Sequence, residues 1–329
     1  MRLSDWLATL DPASTNRNDT VEDVTAARSM LTEAARSLRV LAGAETGPAL
    51  PLTISQQFVS SIHRCEQLAV QEAAGGHAGT GWKLFRGRAL DAYVCHVIHA
   101  GPVADPVEDL RSHWAATDSP GDIEALDAHL STLDRVADVD PLAVADAVAV
   151  ADPLAVDERV ADLALLASSA GAFGQLRAQS PRVEVTLAVE IEDSVRLPGR
   201  VDVLLGGPGT GAPAVLLEVK SGSHRSDHSA QLRHYVMLAA LVHGHVPAAA
   251  ALWYPSGQEA QSPEMCVEVP VGGAVTSSAM RVVAAMERLG ELWDGRVPQR
   301  TAGPHCNWCS LADVCSESLE QLDAVVTDG

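Results

Sequence analysis

Basic residues are scarce. The 329-residue chain carries 23 Lys and Arg against 43 Asp and Glu, a formal charge of −20 with its 12 histidines neutral. Proteins that hold nucleic acid regardless of sequence gain affinity by neutralising phosphates with excess cations. That class is disfavoured, and any contact with nucleic acid has to be made at a local site. Aromatic residues are also few, three Tyr, three Phe and six Trp, which leaves few platforms on which single-stranded bases could stack. Long apolar runs are missing. Tyr235 to Val242 is less than half of the ~20 residues a membrane span needs, and the opening MRLSDWLATLDPAST puts Asp5 where a signal peptide needs an apolar centre. A cytoplasmic location is expected. In such a reducing compartment the six cysteines read as free, catalytic or metal-binding thiols rather than disulfides. The 47% hydrophobic and 20% charged residues suit one large globular domain or two modest ones.

Helical spacing is present at 19–43, where Val24, Ala27, Met30, Leu31 and Ala34 recur at three- and four-residue intervals before Gly43. A second helix is expected from about Ser55 to Ala74, and another from near Gly87. Residues 101–180 are rich in Ala, Asp, Leu and Val, with DPLAV at both 140–144 and 152–156. Two copies are too few for a solenoid, so the stretch reads as an acidic helical insertion. From Arg182 the period falls to two: VEVTLAVEIE, GRVDVLL and AVLLEVK are strands, the last two joined by the turn GGPGTGAP. A helix is expected at about Ser226–His243, strands at AAAALWYP and MCVEVPV, and a helix again at 275–293 through Met286, Leu289 and Trp293. The order β-β-β-α-β indicates a mixed α/β fold with antiparallel neighbours. The glycine-rich turn lacks a following Lys-Ser/Thr and is no phosphate loop, and SGSHRSDHS reads as the loop and cap before a helix, with His224, Arg225 and His228 near a phosphate path.

Chemistry concentrates at Asp202, Glu218 and Lys220. Glu218 and Lys220 are two apart in one strand and so share a face, and hairpin pairing would bring Asp202 beside Glu218. That gives a hard-oxygen site suited to Mg²⁺ or Mn²⁺ with an ammonium next to it. Such a metal makes hydroxide available and offsets charge on a phosphate under attack. On the helix that follows, Gln231 and Tyr235 are four apart and lie one above the other.

The ordered motifs Gly199-Arg200-Val201-Asp202, Glu218-Val219-Lys220 and Gln231-Leu232-Arg233-His234-Tyr235 resemble the RecB-like branch of the PD-(D/E)XK nucleases. The resemblance implies a restriction-endonuclease-like mixed β-sheet flanked by helices. It implies that Asp202, Glu218 and the Val219 carbonyl ligate the metal, that Lys220 serves the attacking water, and that Gln231 and Tyr235 shape the site. Glu190 is a candidate for an acidic position the family often has before G-x-x-D, against its reading as a solvated strand-end carboxylate. Many members carry an upstream G-x-x-x-H ligand. Here Gly87-Arg88-Ala89-Leu90-Asp91 departs from that pattern, leaving Asp91, His96 and His99 as rivals for the position.

Cys306, Cys309 and Cys315 form C-x2-C-x5-C, with Cys65 far upstream. This three-plus-one layout resembles the iron–sulfur subset of the same nucleases, AddB-like proteins and CRISPR-adaptation exonucleases, and implies a [4Fe–4S] cluster joining the N- and C-terminal segments. Zinc is the competing reading, though structural zinc usually shows two close cysteine pairs. Cys95 and Cys266 sit in apolar surroundings, where a buried free thiol is the default.

The resulting expectation has five parts. An N-terminal helical extension covers 1–50, the first part of the nuclease domain 51–100, the acidic insertion 101–180, the nuclease core 181–300, and a cysteine-rich tail 301–329 closes the cluster. The function implied is a divalent-metal-dependent DNA nuclease, by resemblance a single-strand exonuclease, in DNA repair, defence or CRISPR adaptation. The charge of −20 calls for a helicase or other partner that delivers the strand, with Arg86, Arg88, Arg225 and Arg233 beside Lys220 as a local basic rim. A reading from another class is a nuclease-fold module that no longer cuts and serves as an iron–sulfur DNA-binding or assembly scaffold.

Overall fold

The computed structural model describes residues 1–10, 17–42, 50–73, 176–177, 179–210, 212–220, 224–254 and 265–317, with isolated positions at 98, 108, 111–112 and 115. Arg86, Arg88, Asp91, Cys95, His96, His99 and nearly all of the 101–180 insertion lie outside the described residues.

Three strands begin the sheet: β1 (Leu52–Thr53), β2 (Arg182–Ile191) and β3 (Val195–Leu205). β2 shows the alternation of a half-buried strand, whereas β4 (Val215–Val219) and β5 (Ala249–Tyr254) are buried at every residue, as strands covered on both faces must be. β6 (Met265–Glu268) completes the sheet. β2 pairs antiparallel with β3, β3 antiparallel with β4, β4 parallel with β5, and β5 antiparallel with β6. The parallel β4–β5 pair needs a crossover, supplied by a helix over Ser226–His243. This is a mixed α/β fold whose sheet is flanked by helices, as the change of period implied. The two-residue strand β1, parallel to the start of β3, is too short to carry a sequence signal.

Helices α1 (Leu3–Thr9) and α2 (Arg17–Ala42) precede the sheet, and α3 (Gln56–Arg64) and α4 (Glu66–Ala73) follow β1. α5 is the crossover Ser226–His243 and α6 spans Ala274–Trp293. The apolar stripe of α2, Val24, Ala27, Leu31, Ala35 and Leu38, is buried, and α2 packs on α6, which in turn packs on α5. The Ser55 hydroxyl caps α3 by accepting from the Phe58 N–H at 3.1 Å.

The single helix expected over Ser55–Ala74 is corrected to two. Cys65 interrupts it with extended backbone, φ −157° and ψ 116°. Long-range ties impose the break: Arg296 donates to both Glu66 carboxylate oxygens at 2.8 and 2.9 Å, and the Gln299 N–H donates to Glu66 at 2.8 Å. The tail after α6 forms two short 3-10 turns, Pro304–Trp308 and Ala312–Val314. No described helix is long and apolar enough to cross a membrane.

Candidate active site

Asp202 stands on β3 and Glu218 on β4. The β3–β4 ladder ends at Val203 opposite Leu217, and one further step sets Asp202 beside Glu218. There the strand ladder gives way, and the Asp202 carboxylate accepts the Val219 N–H at 2.7 Å. Just past the strand end, Lys220 Nζ donates to Glu218 Oε1 at 2.8 Å. Asp202 is 8% exposed and Glu218 3%. Burial raises the Asp202 pKa, and the opposing pull of Lys220 and the Val219 N–H does not cancel it. Burial also works against the Lys220 ammonium, but the Glu218 and Asp202 carboxylates prevail and hold its pKa above the ordinary lysine value. The site therefore combines a permanent cation with two buried carboxylates.

α5 supplies the wall. Gln231 Nε2 donates to the Tyr235 hydroxyl at 2.9 Å. Burial and the nearby Glu218 carboxylate push the Tyr235 hydroxyl up to about 12, so it stays protonated and can donate. The glycine of G-x-x-D has a steric cause: a Cβ on Gly199 would lie 2.5 Å from Leu238 Cδ1 and 3.2 Å from Tyr235 Cδ1. A side chain at 199 would push the Leu238 methyl aside and press on the Tyr235 ring, so glycine suits this close approach of α5 to β3. At the other end of β3, Gly206 turns the chain with φ +62°, where a Cβ would meet the Pro213 carbonyl oxygen at 2.3 Å.

Sequence reasoning missed Glu184. The β2–β3 ladder runs through Val183↔Val203 and resumes at Val185↔Val201, leaving Glu184 opposite Asp202 with a left-handed φ of 48°. Glu184 pairs with Arg200 at 3.2 Å and is one of the charges that raise the Asp202 pKa. Glu190 is instead paired in register with Arg196 and exposed, away from Asp202 along β2, as a solvated strand carboxylate. Nothing in the sequence marks Glu184 out, because its register opposite Asp202 is set by the fold.

Next to Lys220 lies a group of rings. His228 Nδ1 is 2.9 Å from the Tyr254 hydroxyl, and His224 meets the Tyr254 ring edge-on at 5.7 Å. Burial and the Lys220 charge lower the His228 pKa to about 4, so the ring is neutral at pH 7. Arg225 donates to Asp227 at 3.1 Å, whereas Arg233 is exposed on α5.

The four expected cysteines face a common space. Cys65, Cys306, Cys309 and Cys315 all line one cavity of about 160 Å³ between α4 and the tail, and all four are free thiols. No three His, Cys, Asp or Glu side chains among the described residues are gathered closely enough to hold a single metal ion. Cys266 is a buried cysteine on β6, outside any disulfide.

The mixed sheet thus presents two carboxylates on adjacent strands and a lysine just past the end of one, backed by a helix that carries Gln231 and Tyr235. The profile of the "PD-(D/E)XK nuclease superfamily" matches residues 108–316, well over half of the chain, and the protein belongs to that superfamily. The matched stretch contains Asp202, Glu218, Lys220, Gln231, Tyr235 and three of the four cavity cysteines; Cys65 and Asp91 precede it. No curated protein matches the chain. Among solved structures, SSO0001 is 14% identical with a TM-score of 0.34, covering 88% of this chain and 95% of its own. An exonuclease candidate from Eubacterium rectale is 11% identical with a TM-score of 0.42, covering 82% of this chain and 87% of its own.

Proposed function

We propose that the protein is a divalent-metal-dependent DNA nuclease of the RecB-like branch, acting as an exonuclease on single-stranded ends. The observation that carries this reading is the meeting of Asp202, Glu218 and Lys220, with Val219 between them bonded to Asp202. The donor set fits a hard cation, because two buried carboxylates face one ammonium and leave a net negative charge. Asp202, Glu218 and the Val219 carbonyl would hold Mg²⁺ or Mn²⁺, which supplies a hydroxide-like nucleophile at neutral pH and offsets charge on the phosphate.

The protein's own groups do the rest. Lys220, kept charged by Glu218 and Asp202, orients the attacking water. Tyr235 takes the Gln231 N–H on its oxygen, which leaves its own proton free to meet a phosphate oxygen. With a chain charge of −20, long DNA is repelled outside the site, and a helicase or other partner in DNA repair, defence or CRISPR adaptation delivers the strand. Asp91, His96 or His99 supplies a further ligand.

The cavity at Cys65, Cys306, Cys309 and Cys315 supports a bound [4Fe–4S] cluster in the same proposal. Four free thiols lining one cavity of about 160 Å³, three from C-x2-C-x5-C and one far upstream, favour iron–sulfur over zinc, whose structural sites usually show two close pairs. It would join the first nuclease segment to the tail and serve structure.

End-labelled single-stranded DNA in Mn²⁺ tests the reaction. Wild type is expected to release labelled nucleotides, and Lys220→Ala and Glu218→Ala to lose at least 100-fold in rate, on the order of a lost electrostatic catalytic group. Equal products from all three proteins would remove the assigned site.

A further inference from the structure

A second concentration of cations stands apart from the candidate catalytic groups. Helices α3, α5 and α6 enclose a notch of about 10 Å³, room for one water-sized group, whose lining includes Ser60, His234, Ser278 and Arg281. His234 is 4% exposed, and its Nε2 has no hydrogen-bond partner among the described residues. A buried nitrogen left unpaired costs free energy. Burial and Arg281 lower the His234 pKa to about 4, so at pH 7 the ring is neutral and can donate a single N–H.

The rim is basic. Burial and then Arg64, Arg233 and Arg288 depress the Arg281 pKa, which means four guanidiniums act on one another. Three bonds fix the arrangement: His63 Nε2 lies 2.9 Å from the Arg281 carbonyl oxygen, Arg288 donates to the Ile62 carbonyl at 3.1 Å, and Arg64 donates to Asp227 at 2.8 Å. Arg233 and Arg281 are exposed, and neither guanidinium has an ion-pair or hydrogen-bond partner among the described residues. In a chain with 20 excess negative charges, two guanidiniums left without a carboxylate beside Arg64, whose one carboxylate is shared with Arg225, call for an external anion.

We propose that this notch docks the sugar-phosphate backbone of a DNA strand, one phosphate oxygen entering it between His234, Ser278 and Arg281, while Arg233, Arg64 and Arg288 meet the flanking phosphates. The identity of the polyanion rests on the nuclease reading. α5 also carries Gln231 and Tyr235, and Arg64 reaches Asp227 beside His228, so a strand over the notch continues towards Lys220. Such a local cationic track reconciles a strongly acidic protein with a phosphodiester substrate.

The test is binding of a labelled single-stranded 20-mer in EDTA, where no cleavage occurs, over a series of salt concentrations. Arg233→Ala/Arg281→Ala is compared with Arg36→Ala/Arg39→Ala, which removes the same charge from α2 near Glu192. The notch variant is expected to bind at least tenfold more weakly, with the slope of log K against log salt shallower by about 1.4, the value for two lost phosphate contacts on a single strand. Ser278→Asp, which puts a carboxylate into the notch, is expected to weaken binding as well. Equal losses in the notch and α2 variants, no loss in either notch variant, or no binding by wild type at low salt would each overturn the docking site. Wild type that binds in this way but never cleaves would leave the docking site standing and remove the nuclease reading. Wild type that cleaves while the notch variants bind unchanged would do the reverse.

Discussion

The Asp202 carboxylate accepts the Val219 N–H at 2.7 Å, so one side chain closes the strand ladder and also serves as the candidate metal ligand. Its burial raises its pKa. For a group raised in the folded state, the stability it contributes is present below its unfolded pKa and is lost as pH rises through the folded value. Ionised Asp202 is therefore a cost to the metal-free protein at neutral pH. Asp202→Asn keeps an acceptor for Val219 and removes that charge. In EDTA at pH 7 its Tm should exceed wild type by about 2–4 °C, the shift for ~1 kcal/mol in a domain of this size, while cleavage is abolished. The gain should fade in acid, where wild-type Asp202 is protonated. Melting curves across pH check this, and a lower Tm for the variant at neutral pH would contradict it.

Gly199→Ala tests the close approach of α5 to β3. Its new Cβ would sit 2.5 Å from Leu238 Cδ1, and overpacking of this kind costs about 1–3 kcal/mol. The displaced Tyr235 should lower kcat more than it raises KM. Leu238→Val in the same chain shortens the obstructing side chain and should restore part of both Tm and kcat. Failure of that second substitution to rescue either would place the defect elsewhere.

What could be read from the sequence follows the range of the forces involved. Strands β2 to β4 and helix α5 announce themselves by period, and the pairing of Asp202 with Glu218 follows from a hairpin register that needs only local chain. Lys220, Gln231 and Tyr235 come with it. The break at Cys65 was hidden, because the local stretch Glu66–Ala73 is a good helix and the interruption is imposed by Arg296 and Gln299, more than two hundred residues along the chain. Glu184 was hidden in an alternating strand, its closeness to Asp202 set by a register read only from the fold. The partners of Arg233 in the basic notch, Arg281 on α6 and Arg64 on α3, meet through helix packing that leaves no spacing signal.

The Glu66–Arg296 pair should make the tail acid-sensitive. The Arg296 guanidinium hydrogen-bonded to Glu66, aided by the Gln299 N–H, holds this carboxyl below its ordinary value against the opposing effect of burial. For a depressed folded-state pKa the stabilisation is present above the unfolded value, about 4.3, and is lost as pH falls through the folded one. Wild-type Tm should therefore fall more steeply than that of Glu66→Gln below about pH 4.3, although the variant melts lower at pH 7. Parallel curves in acid would show that the pair does not carry this dependence.

The Glu66 ion pair ties the tail to the chain at 65–66, the proposed cluster in the cysteine cavity would be a second tie, and the two energies should then be coupled. After anaerobic purification the protein is expected to be brown, with about four irons per chain, and Cys65→Ser or Cys306→Ser to lose colour and iron while Cys266→Ser, on β6, retains both. Colourless protein with stoichiometric zinc would replace the iron–sulfur assignment. With the cluster gone, the Glu66 pair is the remaining clamp near residue 296, and with the pair gone the cluster still closes the same long loop. Either single loss leaves the loop-closure entropy largely covered by the other tie. Cys65→Ser/Glu66→Gln should then lose more stability than the two single variants summed, a coupling of about 0.5–3 kcal/mol for neighbouring groups. It should also expose the chain after Arg296 to proteolysis. Strict additivity of the two losses would mean that the ties secure different parts of the tail.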